Sequence, residues 1–199
     1  MSQRKKPDQR CLKCLMRKEL CLCALVPSLV VATKVVVVIA HREIKVPTNT
    51  GRLAAQALAN SAILVHGEEG KICNVADHFT VGRQPLILYP GDEAEVLTPE
   101  LVQRYGGKVD LIVCDGNWRK TSKMRRRISG MAGLPEVRLA PGDASAYRVR
   151  KETKNEGLAT IEAIARALGV IEGPEVQAAL EKLTVEMVGR TLGSRGVTA

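Results

Sequence analysis

The sequence has no apolar run long enough to span a bilayer. Its longest, Val35 to Ala40 read back to Leu25, is broken by Lys34, Ser28 and Pro27, whereas a membrane helix needs about 20 consecutive apolar residues. No apolar core adjoins the basic start Met1-Ser2-Gln3-Arg4-Lys5-Lys6-Pro7-Asp8, as a secretory signal requires. A cytoplasmic protein without membrane contact is the expectation. Glycine fingerprints are also missing. No Gly-x-Gly-x-x-Gly follows the first strand-like segment and no Gly-x-x-x-x-Gly-Lys-Ser/Thr occurs, which disfavours a dinucleotide Rossmann site and a P-loop NTPase. A Gly-x-Ser-x-Gly nucleophile elbow is absent as well. Internal repeats and low-complexity linkers are lacking, so the plausible boundary is the stretch 24–32. Negative charge is in deficit: 21 Asp and Glu against 30 Lys and Arg give a formal charge of +9. That balance favours a polyanionic partner such as RNA, DNA or an anionic surface.

Within these limits, 199 residues, 45% of them hydrophobic, suffice for one core and a small appended module. Four of the six cysteines fall within thirteen residues, as Cys11-Leu-Lys-Cys14 and Cys21-Leu-Cys23. In a reducing compartment, close cysteine spacing points to metal before disulfides. The first pair has zinc-knuckle spacing and the second can complete a four-sulfur site. With all four positions filled by protein, no water remains to be activated, so the expected Zn2+ is structural. The alternative is four unrelated thiols.

Thr33 to Ala40, with four consecutive valines and Ile39, reads as a strand buried on both faces, as in a parallel sheet. A polar loop from His41 to Arg52 follows, and a helix-like segment runs from Leu53 to Ala59. Thr48, Asn49 or Thr50 would cap it, and its free N–H groups with Arg52 offer a site for an anion or carboxylate. Ser61 to Val65, Pro85 to Tyr89 and Glu136 to Leu139 read as further strands, while residues 71–84 give mixed signals. Thr98 to Tyr105 reads as a helix with Thr98 as cap and Pro99 at its first position. Leu158, Ile161, Ile164, Ala165 and Leu168 mark an amphipathic helix from Glu156 to Gly169, and residues 174–189 a second. The first and last ten residues are expected to be loose.

One stretch gathers the chemistry. Leu111 to Cys114 reads as a short buried strand, Asp115-Gly116 breaks it, and a helix-forming segment follows Asn117. A carboxylate is thus left at the C-terminal end of a strand, where open α/β sheets place their ligands. The only tryptophan, Trp118, stands three residues on, and six of the nine residues from Arg119 to Arg127 are basic. Strands alternating with helices indicate an α/β domain with a largely parallel sheet flanked by helices.

Taken together, Cys11-x-x-Cys14 with Cys21-x-Cys23, Pro47-Thr-Asn-Thr-Gly-Arg-Leu-Ala54, Tyr89-Pro-Gly91, Asp115-Gly-Asn-Trp118, Tyr147-Arg-Val-Arg150 and Leu158-Ala-Thr-Ile-Glu-Ala163 resemble the DTW-domain family over nearly the whole chain. Where that family usually has Asp-Gly-Thr-Trp, Asn117 stands in the threonine's place; it keeps a short side chain that donates and accepts hydrogen bonds. The resemblance implies a tRNA-uridine aminocarboxypropyltransferase, which moves the 3-amino-3-carboxypropyl group of S-adenosylmethionine to N3 of a tRNA uridine and releases methylthioadenosine. It also implies a SPOUT-like, knotted α/β domain over residues 31–199, preceded by a zinc module over 1–30.

On this reading Asp115 is the catalytic base. Thr48, Asn49, Thr50, Arg52, Tyr89, Pro90, Gly91, Gly116, Asn117 and Trp118 surround S-adenosylmethionine, with Arg52 and the N–H groups of 49–51 on its carboxylate and Trp118 stacked on a ring. Arg119, Lys120, Lys123, Arg125, Arg126, Arg127, Arg148 and Arg150 contact tRNA. No protein partner is implied. The competing readings are a SPOUT-type RNA methyltransferase and a non-catalytic zinc-containing RNA-binding module.

Overall fold

A computed structural model of the chain describes residues 9–116, 118–147, 149 and 157–194. Strands β1 (Val35–Ala40), β2 (Ser61–His66), β3 (Gln84–Leu88), β4 (Glu95–Val96), β5 (Val109–Asp115) and β6 (Glu136–Arg138) form one sheet in the order β2-β1-β5-β3-β6-β4. Every neighbouring pair is parallel. The helices are α1 (Thr50–Ala57), α2 (Pro99–Arg104), α3 (Trp118–Arg127), α4 (Thr160–Ile171) and α5 (Pro174–Gly193).

Side chains alternate across a strand, and both faces of β1 and β5 are dry. Val35, Val37, Ile39, Val109, Leu111 and Val113 join the apolar cluster under α1, α2, α4 and α5. Val36, Val38 and Ile112 enter a second cluster with Met124 of α3, Ile128 and Met131. The sheet is therefore a middle layer, with four helices on one face and α3 on the other. No helix among the described residues is long and apolar enough to cross a membrane.

Several boundaries differ from the sequence reading, each for a local reason. Helix α1 starts at Thr50 rather than Leu53 because Asn49 caps it, accepting from the Arg52 N–H at 2.7 Å. Strand β5 runs through Asp115, so the carboxylate is the last residue of the strand rather than its breaker. Helix α4 passes Gly169, where a Cβ would stand 3.1 Å from that of Gln177. That glycine permits close α4–α5 packing, and the turn comes at Gly173, whose φ of 119° suits glycine. Helix α5 continues to Gly193, into the stretch expected to be loose. The two-residue strand β4 has too few residues to show a period and was not anticipated.

The cysteine segment folds as a tight hairpin. Arg10 and Arg17 bridge antiparallel, Cys11 N–H donates to Met16 O at 2.8 Å, and Leu15 N–H donates to Cys11 O at 2.9 Å. Arg10 is thus engaged, with its side chain also donating to Leu15 O at 3.0 Å, contrary to the expected loose start. Leu15 adopts φ 60°, a left-handed conformation uncommon for a non-glycine residue. Cys14, Met16 and Leu22 are buried in the same apolar cluster as β1, α1 and α5.

Candidate active site and metal centre

Asp115 continues the alternation of Val109, Leu111 and Val113, and so faces the four-helix side of the sheet at its C-terminal edge. Its carboxylate is 7% exposed. The Asn49 Nδ2 amide donates to Oδ2 and the Thr160 hydroxyl donates to Oδ1. Asn49 is the cap of α1 and Thr160 the first residue of α4, so two helix N-termini converge on one carboxylate, an arrangement that favours negative charge. Gly51 makes the approach possible: a Cβ there would stand 3.0 Å from both Asp115 Cγ and Val37 Cγ1. Tyr147 adds a wall, its hydroxyl donating to Thr48 O at 3.1 Å. Behind it, buried Glu162 accepts from Ser145 Oγ at 2.5 Å, Ala146 N at 2.7 Å and Ala159 N at 2.8 Å. Glu162 thereby ties the 145–147 segment to the start of α4.

Thr160, Tyr147 and Glu162 were not singled out as site residues from the sequence. The segments carrying them, at 147–150 and 158–163, were legible as motifs. Thr160 reaches Asp115 across 45 positions of sequence, and Tyr147 reaches Thr48 across 99, which no local pattern encodes.

The second group of predicted residues lies at the same edge but toward the α3 side. Tyr89 follows β3 and packs against the second cluster. Its ring has the Arg125 guanidinium 4.4 Å from its centroid, and a Cβ on Gly91 would stand 3.1 Å from it. Arg125 also pairs with Glu136. Burial opposes the charge of Arg125, but Glu136 and Tyr89 more than offset it and hold the guanidinium above its ordinary pKa. The charge of Arg125, expected in an RNA grip, is engaged here between β3 and β6. Lys123, Arg126 and Arg127 of α3 are exposed, as are Pro90 and Gly116. Thr50 is buried at 5% exposure. Asn117, Arg148 and Arg150 lie outside the described residues. Of Trp118, Arg119 and Lys120, only their place in the first turn of α3 is described.

Arg52, expected on a cofactor carboxylate, is held by backbone oxygens: its terminal nitrogens donate to Lys13 O at 3.1 Å, Cys14 O at 2.9 Å and Pro47 O at 3.3 Å, while its buried Nε has no hydrogen-bond partner. Burial lowers its pKa while the neighbouring cysteine sulfurs work the other way.

The four N-terminal cysteines meet as their spacing predicts. The sulfurs of Cys11, Cys14, Cys21 and Cys23 lie within 4.8 Å of one another. Their acidities diverge: backbone N–H groups of Cys14 and Lys13 draw Cys11 down to about 6, while burial and the other three thiols push Cys23 up to about 12. One thiol ionises readily and its neighbours then resist. A soft divalent cation removes that conflict, since bound thiols are deprotonated outright. The donor set fits Zn2+ in a closed tetrathiolate site. Away from it, Cys114 is pushed up to about 12 by burial, with Cys73 and Asp115 adding to the effect. It is an inert thiol of the α3 side.

A parallel α/β sheet with a carboxylate at its C-terminal edge and a four-cysteine cluster docked on its helical face defines the class of protein. The DTW domain profile matches residues 8–192, and the chain belongs to the DTW-domain family. A curated relative, tRNA-uridine aminocarboxypropyltransferase 2 of Macaca fascicularis, is 25% identical over 175 residues, covering 81% of this chain and 56% of the relative. The chain thus spans little more than half the length of that relative. Among solved structures, the SAM-dependent rRNA:acp-transferase Tsr3 from Vulcanisaeta distributa superposes with a TM-score of 0.51 and 17% identity, over 82% of this chain and 79% of that one. At that identity the likeness concerns the fold.

Proposed function

We propose that this chain transfers the 3-amino-3-carboxypropyl group of S-adenosylmethionine to N3 of a tRNA uridine. Membership of the DTW-domain family and the activities for which the two similar proteins are named support the reaction class. The observation that carries the reading is the buried Asp115 carboxylate held between the N-termini of α1 and α4.

The chemistry needs a proton acceptor and an orienting frame. N3 of uridine is a weak acid. As its nitrogen forms the new bond to the γ-carbon of the aminocarboxypropyl group, the carbon–sulfur bond breaks, the electron pair stays on sulfur and methylthioadenosine leaves. The N3 proton passes to a base, for which Asp115 is the candidate. Asn49 donates to one oxygen and Thr160 to the other, which fixes the orientation of the carboxylate. The sulfonium already makes the carbon electrophilic, and the protein's contribution is to turn that carbon, rather than the methyl, toward the base. The N–H groups opening α1, with Thr48, Thr50, Tyr89, Pro90, Gly91, Gly116, Asn117 and Trp118, frame the cofactor. Lys123, Arg126 and Arg127 offer exposed cations to tRNA phosphates, and Arg119, Lys120, Arg148 and Arg150 are assigned the same role. Cys11, Cys14, Cys21 and Cys23 would hold Zn2+, which would cross-link the N-terminal segment and supply no chemistry to the transfer.

Incubation with S-adenosylmethionine and unmodified tRNA, followed by nucleoside mass spectrometry and analysis of the by-product, tests the proposal. Methylthioadenosine with an aminocarboxypropylated uridine is the expected result. S-adenosylhomocysteine would identify a methyltransferase, and no turnover together with no cofactor affinity would identify a binding module.

A further inference from the structure

We propose that Arg52 is a positioning residue that couples metal occupancy of the four-cysteine centre to the geometry of the Asp115 edge, so that Zn2+ and S-adenosylmethionine reinforce each other's binding. The proposal rests on the reading of that edge as the cofactor site.

Arg52 is 6% exposed, and no carboxylate among the described residues pairs with it. Burying a guanidinium without an anion is expensive. The anionic groups it adjoins are the sulfurs of the cysteine centre, whose closed tetrathiolate form with a divalent cation keeps a net negative charge. Arg52 thus supplies the missing counter-charge. Its planar fork also spans two loops, with one nitrogen donating to both Cys14 O at 2.9 Å and Pro47 O at 3.3 Å and the other to Lys13 O at 3.1 Å. The hairpin carrying Cys14 is therefore stapled to the loop that enters α1. Gln56, one turn on, repeats the grip on Lys13 O at 2.8 Å.

The same residue reaches the other way through its backbone. Its N–H donates to Asn49 Oδ1 at 2.7 Å, and Asn49 Nδ2 donates to Asp115. A continuous series of contacts thus runs from the cysteine hairpin through Arg52 and Asn49 to the candidate base. Loss of the metal frees the hairpin and leaves the guanidinium without its counter-ion, which loosens the register of residues 47–49 against Asp115.

Coupling of equilibrium affinities is reciprocal and commonly amounts to about 5- to 150-fold. Zinc affinity is measured by competition with a chromophoric chelator, with and without saturating S-adenosylmethionine, and cofactor affinity by calorimetry on zinc-loaded and zinc-stripped protein. In the unmodified chain the cofactor should raise zinc affinity at least about fivefold, and zinc should raise cofactor affinity by the same factor. Arg52→Lys keeps the charge but cannot bridge both loops; it should retain zinc and lose the linkage. Arg52→Met should lose the linkage and bind zinc more weakly. Equal zinc affinity with and without bound cofactor in the unmodified chain overturns the proposal, as does full linkage in Arg52→Lys or a chain that binds no zinc. A chain that binds zinc but has no affinity for S-adenosylmethionine overturns the functional reading and the proposal with it. The two failures are told apart by the calorimetry.

Discussion

Thr160→Val removes one hydroxyl, keeps the side-chain volume and tests whether the convergence on Asp115 matters. The Thr160 hydroxyl donates to Oδ1 of a carboxylate that is 7% exposed. Hydrogen bonds to charged groups contribute about 1.5–3 kcal/mol. Thr160 itself is only half-buried, so water can partly replace the lost donor and the lower end applies, about 1.5 kcal/mol. For a chain of this size each kcal/mol moves the midpoint of thermal unfolding by about 2–4 °C, so a drop of roughly 3–6 °C is expected. If the same contact orients Asp115 for proton transfer, a loss of about 1.4 kcal/mol in the transition state costs about tenfold in rate. Thermal unfolding and single-turnover transfer, both at saturating cofactor, provide the assays. Thr160→Ser, which restores the hydroxyl without the methyl, should recover most of both. A fully active, fully stable Val variant beside an impaired Ser variant would refute the reasoning, because the methyl and not the hydroxyl would then be the useful part.

Asp115→Asn should abolish transfer while cofactor binding, followed by calorimetry, persists; unimpaired turnover removes Asp115 from the mechanism. Gly51→Ala gains up to about 1 kcal/mol of helix propensity but sets a Cβ 3.0 Å from Asp115 Cγ. A net loss of stability in chemical unfolding, with reduced transfer, is the expected outcome. Replacing Lys123, Arg126 and Arg127 together by Ala should weaken tRNA binding and flatten its dependence on salt by about 0.7–0.9 per lost phosphate contact. Arg125→Ala, by contrast, should lower the unfolding midpoint and leave the salt slope unchanged, since its charge is engaged with Glu136 and Tyr89. Metal analysis of reduced protein should find one zinc per chain.

Some of this was legible in local pattern. The β-branched run before His41, the Thr98-Pro99 helix start and the 3.6-residue period of α4 each obey rules that act within a few residues, and each element exists as the type it was read to be, with the bounds of α4 shifted to Thr160–Ile171. The four cysteines are equally local: two closely spaced pairs separated by six residues, 15–20, leave few ways to fold except around one point. Other elements escaped because their determinants are distant. Gly169 looks like a helix terminator until Gln177 packs against it. Arg52 looks like a free cation beside a helix N-terminus until the cysteine hairpin brings two carbonyls to it, those of Lys13 and Cys14.

The stretch from Asp115 to Arg127 divides the two kinds of information most clearly. By itself the sequence determined that a carboxylate ends a buried strand and that a basic helix follows, because hydrophobic period and composition are enough for both. Read linearly, the acid and the cations seem to share one turn. Only the tertiary structure decided that they serve opposite faces: β5 alternates, so Asp115 points under α1 and α4 while α3 packs on the other side. Its partners Asn49 and Thr160 come from segments 66 and 45 residues away, and their meeting follows from parallel crossover connections, which bring remote helix N-termini to one edge of the sheet.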